Sequence, residues 1–384
     1  MTMTAAVPAG RVLVSLAAVI ATATIFGLTY SLSATLLALD LAERGAPQSI
    51  IGLNAAMHAL GVLAVALVVP RVVPRVGPRR MTLAALVAAG SVLALFPAMP
   101  GIWPWFPLRV VLGGASEVLF VLTEAWVNQL CDERTRARSM ATYVAALSVG
   151  FAVGPLILST IGTDGATPYL IGAGLSFAAV LLIVSPGVIA PVFAEESPGR
   201  PLRYLWLAPV AIAAEGLNAA IETAGLSFLP LYAIGQGWTE HGATRLISCL
   251  MFGAIVLQLP IGWLGDQMDR RRLAIILALL AVGGAFLWPL ILHEPWIAYP
   301  VLFVWGGVFV GIYTLMMALV GSRFQGADLI GIYAVMGLTW GVGALLGPTL
   351  AGLSMDLLPH GLPIFAALAC LAFAVYAATS RSAA

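Results

Sequence analysis

Charge is what this chain has least of. Of its 384 residues, 9% are Asp, Glu, Lys or Arg and 61% are hydrophobic, with a mean hydropathy of +1.02. So thin a charge excludes a soluble globular domain. Lysine is absent, so all 18 basic residues are arginine. The three cysteines, Cys131, Cys249 and Cys370, stand far apart and suggest neither a disulfide framework nor a metal cluster; they read as small lipid- or core-facing residues. The chain also lacks His-Glu-x-x-His, Gly-x-Ser-x-Gly and any phosphate-binding loop. Neither an intramembrane enzyme nor an ATP-driven machine is expected, and no metal or other cofactor.

What the chain has instead is long apolar runs. Val12–Ala38, Met81–Leu108 and Ile275–Leu292 can each cross a bilayer, which needs about 20 apolar residues. Twelve spans are expected, near 12–38, 50–70, 81–99, 107–129, 139–160, 168–191, 206–232, 243–264, 273–291, 298–320, 329–350 and 362–379. Arg11 and the small residues at Ala21–Thr24 resemble a signal peptide, but removing span 1 would break the symmetry described next, so no cleavage is expected. The loops are short, and the one extended polar stretch, Ala194–Leu205, reads as a linker. It divides the chain into an N-terminal bundle (1–193), a cytoplasmic linker (194–205) and a C-terminal bundle (206–384).

The two bundles repeat one another. Gly61 recurs as Gly253, 192 residues on, and Gly150, Gly154 and Pro155 recur as Gly343, Gly347 and Pro348, 193 residues on. Fused, similar, apolar halves point to a transporter with its substrate site where the halves meet. Gly-x-x-x-Gly lets helices approach closely, and a proline after it allows a bend, so the recurrence points to a moving joint as well as to packing.

The arginines orient the chain. Thirteen of them, among them Arg71, Arg75, Arg79, Arg80, Arg134, Arg136, Arg138, Arg200, Arg203, Arg270, Arg271, Arg272 and Arg323, fall on one side, with Arg44 and Arg245 near the other. By the positive-inside rule the rich side is cytoplasmic, which puts both termini inside.

Five ionisable residues lie well inside spans: Arg109, Glu117 and Glu124 in span 4, and Glu215 and Glu222 in span 7. Facing lipid, each would cost roughly 2.5–3.5 kcal/mol at the membrane centre, so they are expected to face a cavity or one another. Arg109, Gly113, Glu117, Val121, Glu124 and Asn128 form one stripe down span 4; Glu215, Asn218 and Glu222 form another down span 7. Glu117, Glu215 and Glu222 are placed near mid-membrane, Arg109 nearer the outer mouth and Glu124 nearer the inner one. Burial and a neighbouring carboxylate both disfavour a charged acid, the property proton coupling needs. Four Glu against one Arg favours cationic or neutral solutes. Arg109 either pairs with Glu117, fixes span 4 structurally, or binds an anionic group directly. His58 in span 2 could shuttle protons or be held in place, and Tyr30, Tyr143, Trp305, Tyr313, Met316 and Trp340 could shape a pocket or merely pack.

One loop carries a family likeness. Gly262-Trp-Leu-Gly-Asp266-Gln-Met-Asp-Arg270-Arg271-Arg272 resembles the loop signature of the major facilitator superfamily, with Gln267 and Asp269 departing from it. The first-half copy, Pro70 to Arg80, keeps Arg75, Gly77 and the arginine pair but loses the acid. Arg109-x-x-x-Gly113 and Gly150-x-x-x-Gly154-Pro155 resemble further motifs of the family, the latter that of its antiporters. Arg109 to Glu124, Leu229-Pro230-Leu231-Tyr232 and Gln258 to Asp266 look like the bacterial YcaD-like branch.

The resemblance implies an all-α membrane protein of twelve helices in two pseudo-symmetric six-helix bundles. It also implies alternating access, with spans 1, 4, 7 and 10 lining the cavity. By the same likeness Asp266, with Gly262, Arg270 and Arg271, should meet the start of span 5 near Arg138 and latch the cytoplasmic side. The expected partners are a small-molecule substrate, protons and the lipid bilayer, not nucleic acid, with the chain acting as a monomer. Efflux through a bacterial inner membrane is favoured over uptake, and a non-transporting sensor or assembly factor is the remaining alternative.

Overall fold

The computed structural model describes residues 9–131, 133–191, 201–324 and 326–380, all of them helix or short connection, with no strand among them. Twelve helices are long and apolar enough to cross a membrane. They are span 1 (Gly10–Glu43), span 2 (Gln48–Ala66), span 3 (Pro78–Ala98), span 4 (Trp105–Leu130), span 5 (Arg138–Ile161) and span 6 (Thr167–Val184). The second six are span 7 (Pro209–Gly235), span 8 (Glu240–Gln267), span 9 (Arg270–Ile291), span 10 (Pro295–Arg323), span 11 (Gly331–Leu357) and span 12 (Gly361–Thr379).

The boundaries differ from expectation where proline or glycine intervenes. Span 2 stops at Ala66, and Val69–Val76 forms a separate helix with Pro70 in its first turn and Gly77 (φ +89°) ending it. Span 6 ends at Val184, before Pro186, rather than near 191. Span 7 starts at Pro209, because Pro201–Trp206 forms a 3-10 turn ahead of it. Span 8 breaks at Leu257, ahead of Pro260, into Glu240–Val256 and Gln258–Gln267. Linker residues 192–200 and the side chain of Arg134 lie outside the described residues.

Helix pairing repeats between the halves. Spans 1 and 5, 2 and 4, and 3 and 6 pack together, as do 7 and 11, 8 and 10, and 9 and 12. Glycine sets the two tightest crossings. A Cβ on Gly61 would collide with the Val110 carbonyl and one on Gly113 with the His58 carbonyl; in the second half Gly253 meets the Phe303 carbonyl and Gly306 the Leu250 carbonyl. Gly150 and Gly154 lie against the backbone of span 1 at Thr24 and Leu28, and Gly343 and Gly347 against span 7 at Gly216 and Ala220. Pro155 and Pro348 follow inside their helices. Between the halves, span 2 packs on span 11, span 5 on span 8, and span 1 on span 7.

Candidate functional site

The stripes of spans 4 and 7 run down the middle of the bundle. Glu215 and Asn218 are buried, and Glu117, Glu124 and Glu222 are partly buried. Asn218 Nδ2 donates to Glu222 Oε2 at 3.2 Å, as their spacing of four residues allows. Glu215 Oε2 and Asn218 Oδ1 are buried without a hydrogen-bond partner. From span 10, Tyr313 is near enough to Glu215, Glu124 and Glu222 for their charges to act on it. From span 5, Tyr143 shares a 3.1 Å hydrogen bond with Thr123 and also senses Glu124. Span 7's late start corrects one depth: Glu215 is the seventh residue of its span from the arginine-rich end, as Glu124 is of span 4, and so lies nearer Glu124's level than Glu117's.

Arg109 is 3% exposed, and among the described residues it pairs with no carboxylate; its Nε and Nη1 have no hydrogen-bond partner. The pair with Glu117 is therefore not formed. Around Arg109 a small cleft is lined by Tyr30, Ala55, His58, Thr223 and Ser227. His58 meets Tyr30 edge-on, ring centroids 4.9 Å apart. Next to Glu222 opens a second, apolar pocket, lined by Leu250, Met251, Trp288, Trp305, Phe309 and Phe365. Trp288 and Trp305 meet at 4.8 Å in a T, and Trp305 Nε1 donates to the Ala281 carbonyl. Among the described residues no group of three or more His, Cys, Asp or Glu is placed to hold a metal ion.

The two ends of the bundle differ. At the arginine-poor end, Pro47 gives span 2 no side-chain cap, and Asp356 of span 11 supplies one from the other half. Its Oδ1 and Oδ2 accept from the backbone N–H groups of Gln48 and Ser49, each at 2.9 Å, in the field of the helix N-terminus. Nearby, a Cβ on Gly52 would collide with the Pro348 carbonyl, and one on Gly352 with the Gln48 carbonyl. Thr35 Oγ1 donates to the Leu226 carbonyl at 2.8 Å and His241 Nδ1 to the Ser159 carbonyl at 2.9 Å. These bonds between the halves all lie in this part of the bundle.

At the arginine-rich end the family loop stays within its own half. Asp266, 71% exposed, pairs with Arg270 at 2.9 Å. Arg270 also reaches the Ala318 carbonyl and Ser322 of span 10, and Arg271 holds the Ala377 and Ser380 carbonyls at the end of span 12. Arg138 is exposed and is not brought to Asp266. Gly262 faces open space. Among the described residues the expected pair of Asp266 with Arg138 is thus not formed, while an unexpected contact, through Asp356, joins the halves at the other end. Sequence reasoning passed over Asp356, Asn54 and Trp288. For Asp356 a signal existed, since an acid at the end of span 11 shares a membrane face with the uncapped start of span 2.

The family model of the major facilitator superfamily matches residues 15–247 and 211–382. The chain belongs to the major facilitator superfamily. Among relatives, it is 23% identical over 288 residues to the uncharacterised MFS-type transporter YfkF of Bacillus subtilis, covering 71% of this chain and 72% of that one. It is 25% identical over 348 residues to an uncharacterised MFS-type transporter of Enterobacter sp. strain 638, covering 88% of each. The Escherichia coli transporter YcaD is 23% identical over 282 residues, covering 72% of each chain, so the likeness to that branch holds. Of solved structures, the nucleoside transporter NupG superposes with a TM-score of 0.79 at 14% identity, over 95% of this chain and 99% of NupG. The D-xylose–proton symporter gives 0.76 at 14% identity, over 96% and 98%. At that identity the likeness is one of fold. This superfamily member is a multi-pass membrane protein and a secondary transporter.

Proposed function

We propose that the chain couples proton movement to passage of a small organic, amphipathic solute across the bacterial inner membrane by alternating access. The rocking units are residues 1–193 and 206–384, joined by the linker 194–205, with both termini cytoplasmic. The observation that carries this reading is the pair of acid stripes on spans 4 and 7, where Glu215 Oε2 is buried without a hydrogen-bond partner and Glu222 is held by Asn218, in a bundle bonded across its halves at the arginine-poor end by Thr35, His241 and Asp356. A carboxylate there exchanges protons at low cost when its charge is poorly solvated, and it offers a cationic or neutral polar group a partner. The aromatic pocket beside Glu222 suits the apolar part of such a solute.

With the arginine-rich side cytoplasmic, this conformation faces inward. Asp266 is then disengaged, and its latch to the start of span 5 near Arg138 belongs to the outward-facing state. The joints at Gly150–Pro155 and Gly343–Pro348 slide along spans 1 and 7 between the two. The antiporter-like glycine–proline motif of span 5 favours efflux.

The test is flux in proteoliposomes carrying an internal pH dye, with benzylamine, phenylalanine and glucose as cationic, zwitterionic and neutral probes. Solute-dependent proton movement that is lost in Glu222→Gln, with Glu117→Gln and Glu215→Gln tested alongside, supports the reading. Solute movement without a proton signal sinks the coupling. No movement across a widened panel favours a non-transporting sensor on the same scaffold, and accumulation driven by an inward proton gradient favours uptake.

A further inference from the structure

Three buried side chains on spans 2 and 4 hold polar atoms with no partner. Arg109 is 3% exposed, His58 4% and Asn54 1%. Arg109 Nε and Nη1, both ring nitrogens of His58, and Asn54 Nδ2 make no hydrogen bond. Asn54 and His58 are one helical turn apart, and the Gly113 crossing brings span 4 against His58, which holds Arg109 in the same region. Leaving a charged guanidinium buried and unpaired is strongly unfavourable, so the site is built for an acceptor.

Among the described residues no acid fills that role. Asp40 is engaged by Arg44 and Tyr169, each at 2.7 Å. Glu222 is held by Asn218. Nor does packing demand the polar trio. The same crossing in the second half, 192 to 193 residues on, places Leu246, Leu250 and Leu302 where Asn54, His58 and Arg109 stand. All three leucines are buried. Leucine therefore suffices to build this contact, and the first half departs from it at each of the three positions.

The chemistry of the donors names the acceptor. A guanidinium offers parallel N–H groups matched to the two oxygens of a carboxylate, and an imidazole and a carboxamide add single donors. The cleft that holds Arg109 and His58, with Asn54 one turn from His58 on span 2, also takes in Ser227 and Thr223 of span 7, the latter next to Glu222 in the chain. We propose that Arg109, His58 and Asn54 form an oxyanion subsite that receives a carboxylate group of the transported solute. The span 7 glutamates face the same solute's cationic or polar end, so the substrate is amphoteric rather than simply cationic.

This rests on the transporter reading given above, and its test is chosen to fail separately. Thermal unfolding of the protein in lipid nanodiscs is followed in a low-salt zwitterionic buffer with benzoate, acetate, benzyl alcohol or chloride added. Benzoate and acetate at about ten times their dissociation constants raise the midpoint by ~2 °C or more in the wild type, and benzyl alcohol and chloride do not. The apparent benzoate affinity falls about tenfold or more in Arg109→Gln, as expected for loss of one bidentate charged pair. Should Arg109→Gln not fold, His58→Leu and Asn54→Leu, which install the second half's residue type, carry the test and weaken benzoate binding.

Benzoate shifts equal in the wild type and in all folded variants overturn the subsite, as does a wild type that ignores both carboxylates. A chloride response matching benzoate overturns the assignment to a solute carboxylate and makes this an inorganic-anion site. Because binding is read without a gradient, loss of proton-coupled flux leaves the subsite standing. A protein that exchanges amines for protons yet ignores carboxylates removes the subsite alone.

Discussion

Spans 2 and 4 cross exactly as spans 8 and 10 do in backbone terms: glycine against carbonyl, twice in each half. Their side chains part company. Asn54, His58 and Arg109 fill the first crossing, and Leu246, Leu250 and Leu302 the second. Span 7 shows the reverse bias. Matching its contacts with span 11 to those of span 1 with span 5 sets Glu215 opposite Ala23 and Glu222 opposite Tyr30, 192 residues apart. A shared scaffold thus carries polar donors on spans 2 and 4 where spans 8 and 10 have leucine, and acids on span 7 where span 1 has Ala23 and Tyr30. Whatever is common to the halves is the part that folds and moves; whatever differs is the part that recognises.

The largest expected effect breaks what the halves share. Gly113→Leu and Gly253→Leu should each destabilise the fold by about 3 kcal/mol or more, because the clash is with backbone that cannot yield without parting the helices. Thermal unfolding and size exclusion should show similar damage from both; an innocuous Gly253→Leu would mean that the crossings are not equivalent. Next comes the triple change Asn54→Leu, His58→Leu and Arg109→Leu, which makes the first crossing resemble the second. It should fold at least as stably as the wild type, with a gain of up to ~1–4 kcal/mol from removing buried unpaired polar groups, while carboxylate binding and solute flux disappear. Failure to fold would return these residues to a structural role.

Two smaller changes compare the ends of the bundle. Asp356→Asn weakens two bonds to a charged acceptor, worth roughly 1.5–3 kcal/mol each before compensation. A cysteine introduced at Thr35 should then react about tenfold faster with an impermeant maleimide from the arginine-poor face. Asp266→Asn removes an exposed pair four residues apart, worth about 0.3–0.5 kcal/mol, so unfolding should barely change. Its effect belongs to the other conformation, where losing the latch moves the population toward the inward-facing state, read from cysteine accessibility on both faces. Unchanged accessibility would sink the latch.

Much of the fold was legible because membrane spans announce themselves by length and by freedom from charge, and the repeat counts them twice. Helix ends were less legible. The break at Leu257 and the separate helix Val69–Val76 follow from backbone changes at prolines whose sequence alone permits either a kink or a stop. Of the site, the stripes on spans 4 and 7 were readable, because a helix's own periodicity fixes which residues share a face. Partnership between helices was not. Nothing in the order of residues says that Arg109 shares a cleft with His58 instead of pairing with Glu117, or that Asp266 turns to Arg270 while Asp356 reaches the other half.

Asp356 has a consequence for how this molecule can vary. Two of its partners are main-chain N–H groups, present whichever residues occupy positions 48 and 49, proline apart, while the Ser49 side chain adds to them. Substitutions at positions 48 and 49 therefore keep both main-chain donors, whereas a change at position 356 takes away their acceptor. A change at this one position can thus alter a bond between the halves without touching the stripes of spans 4 and 7.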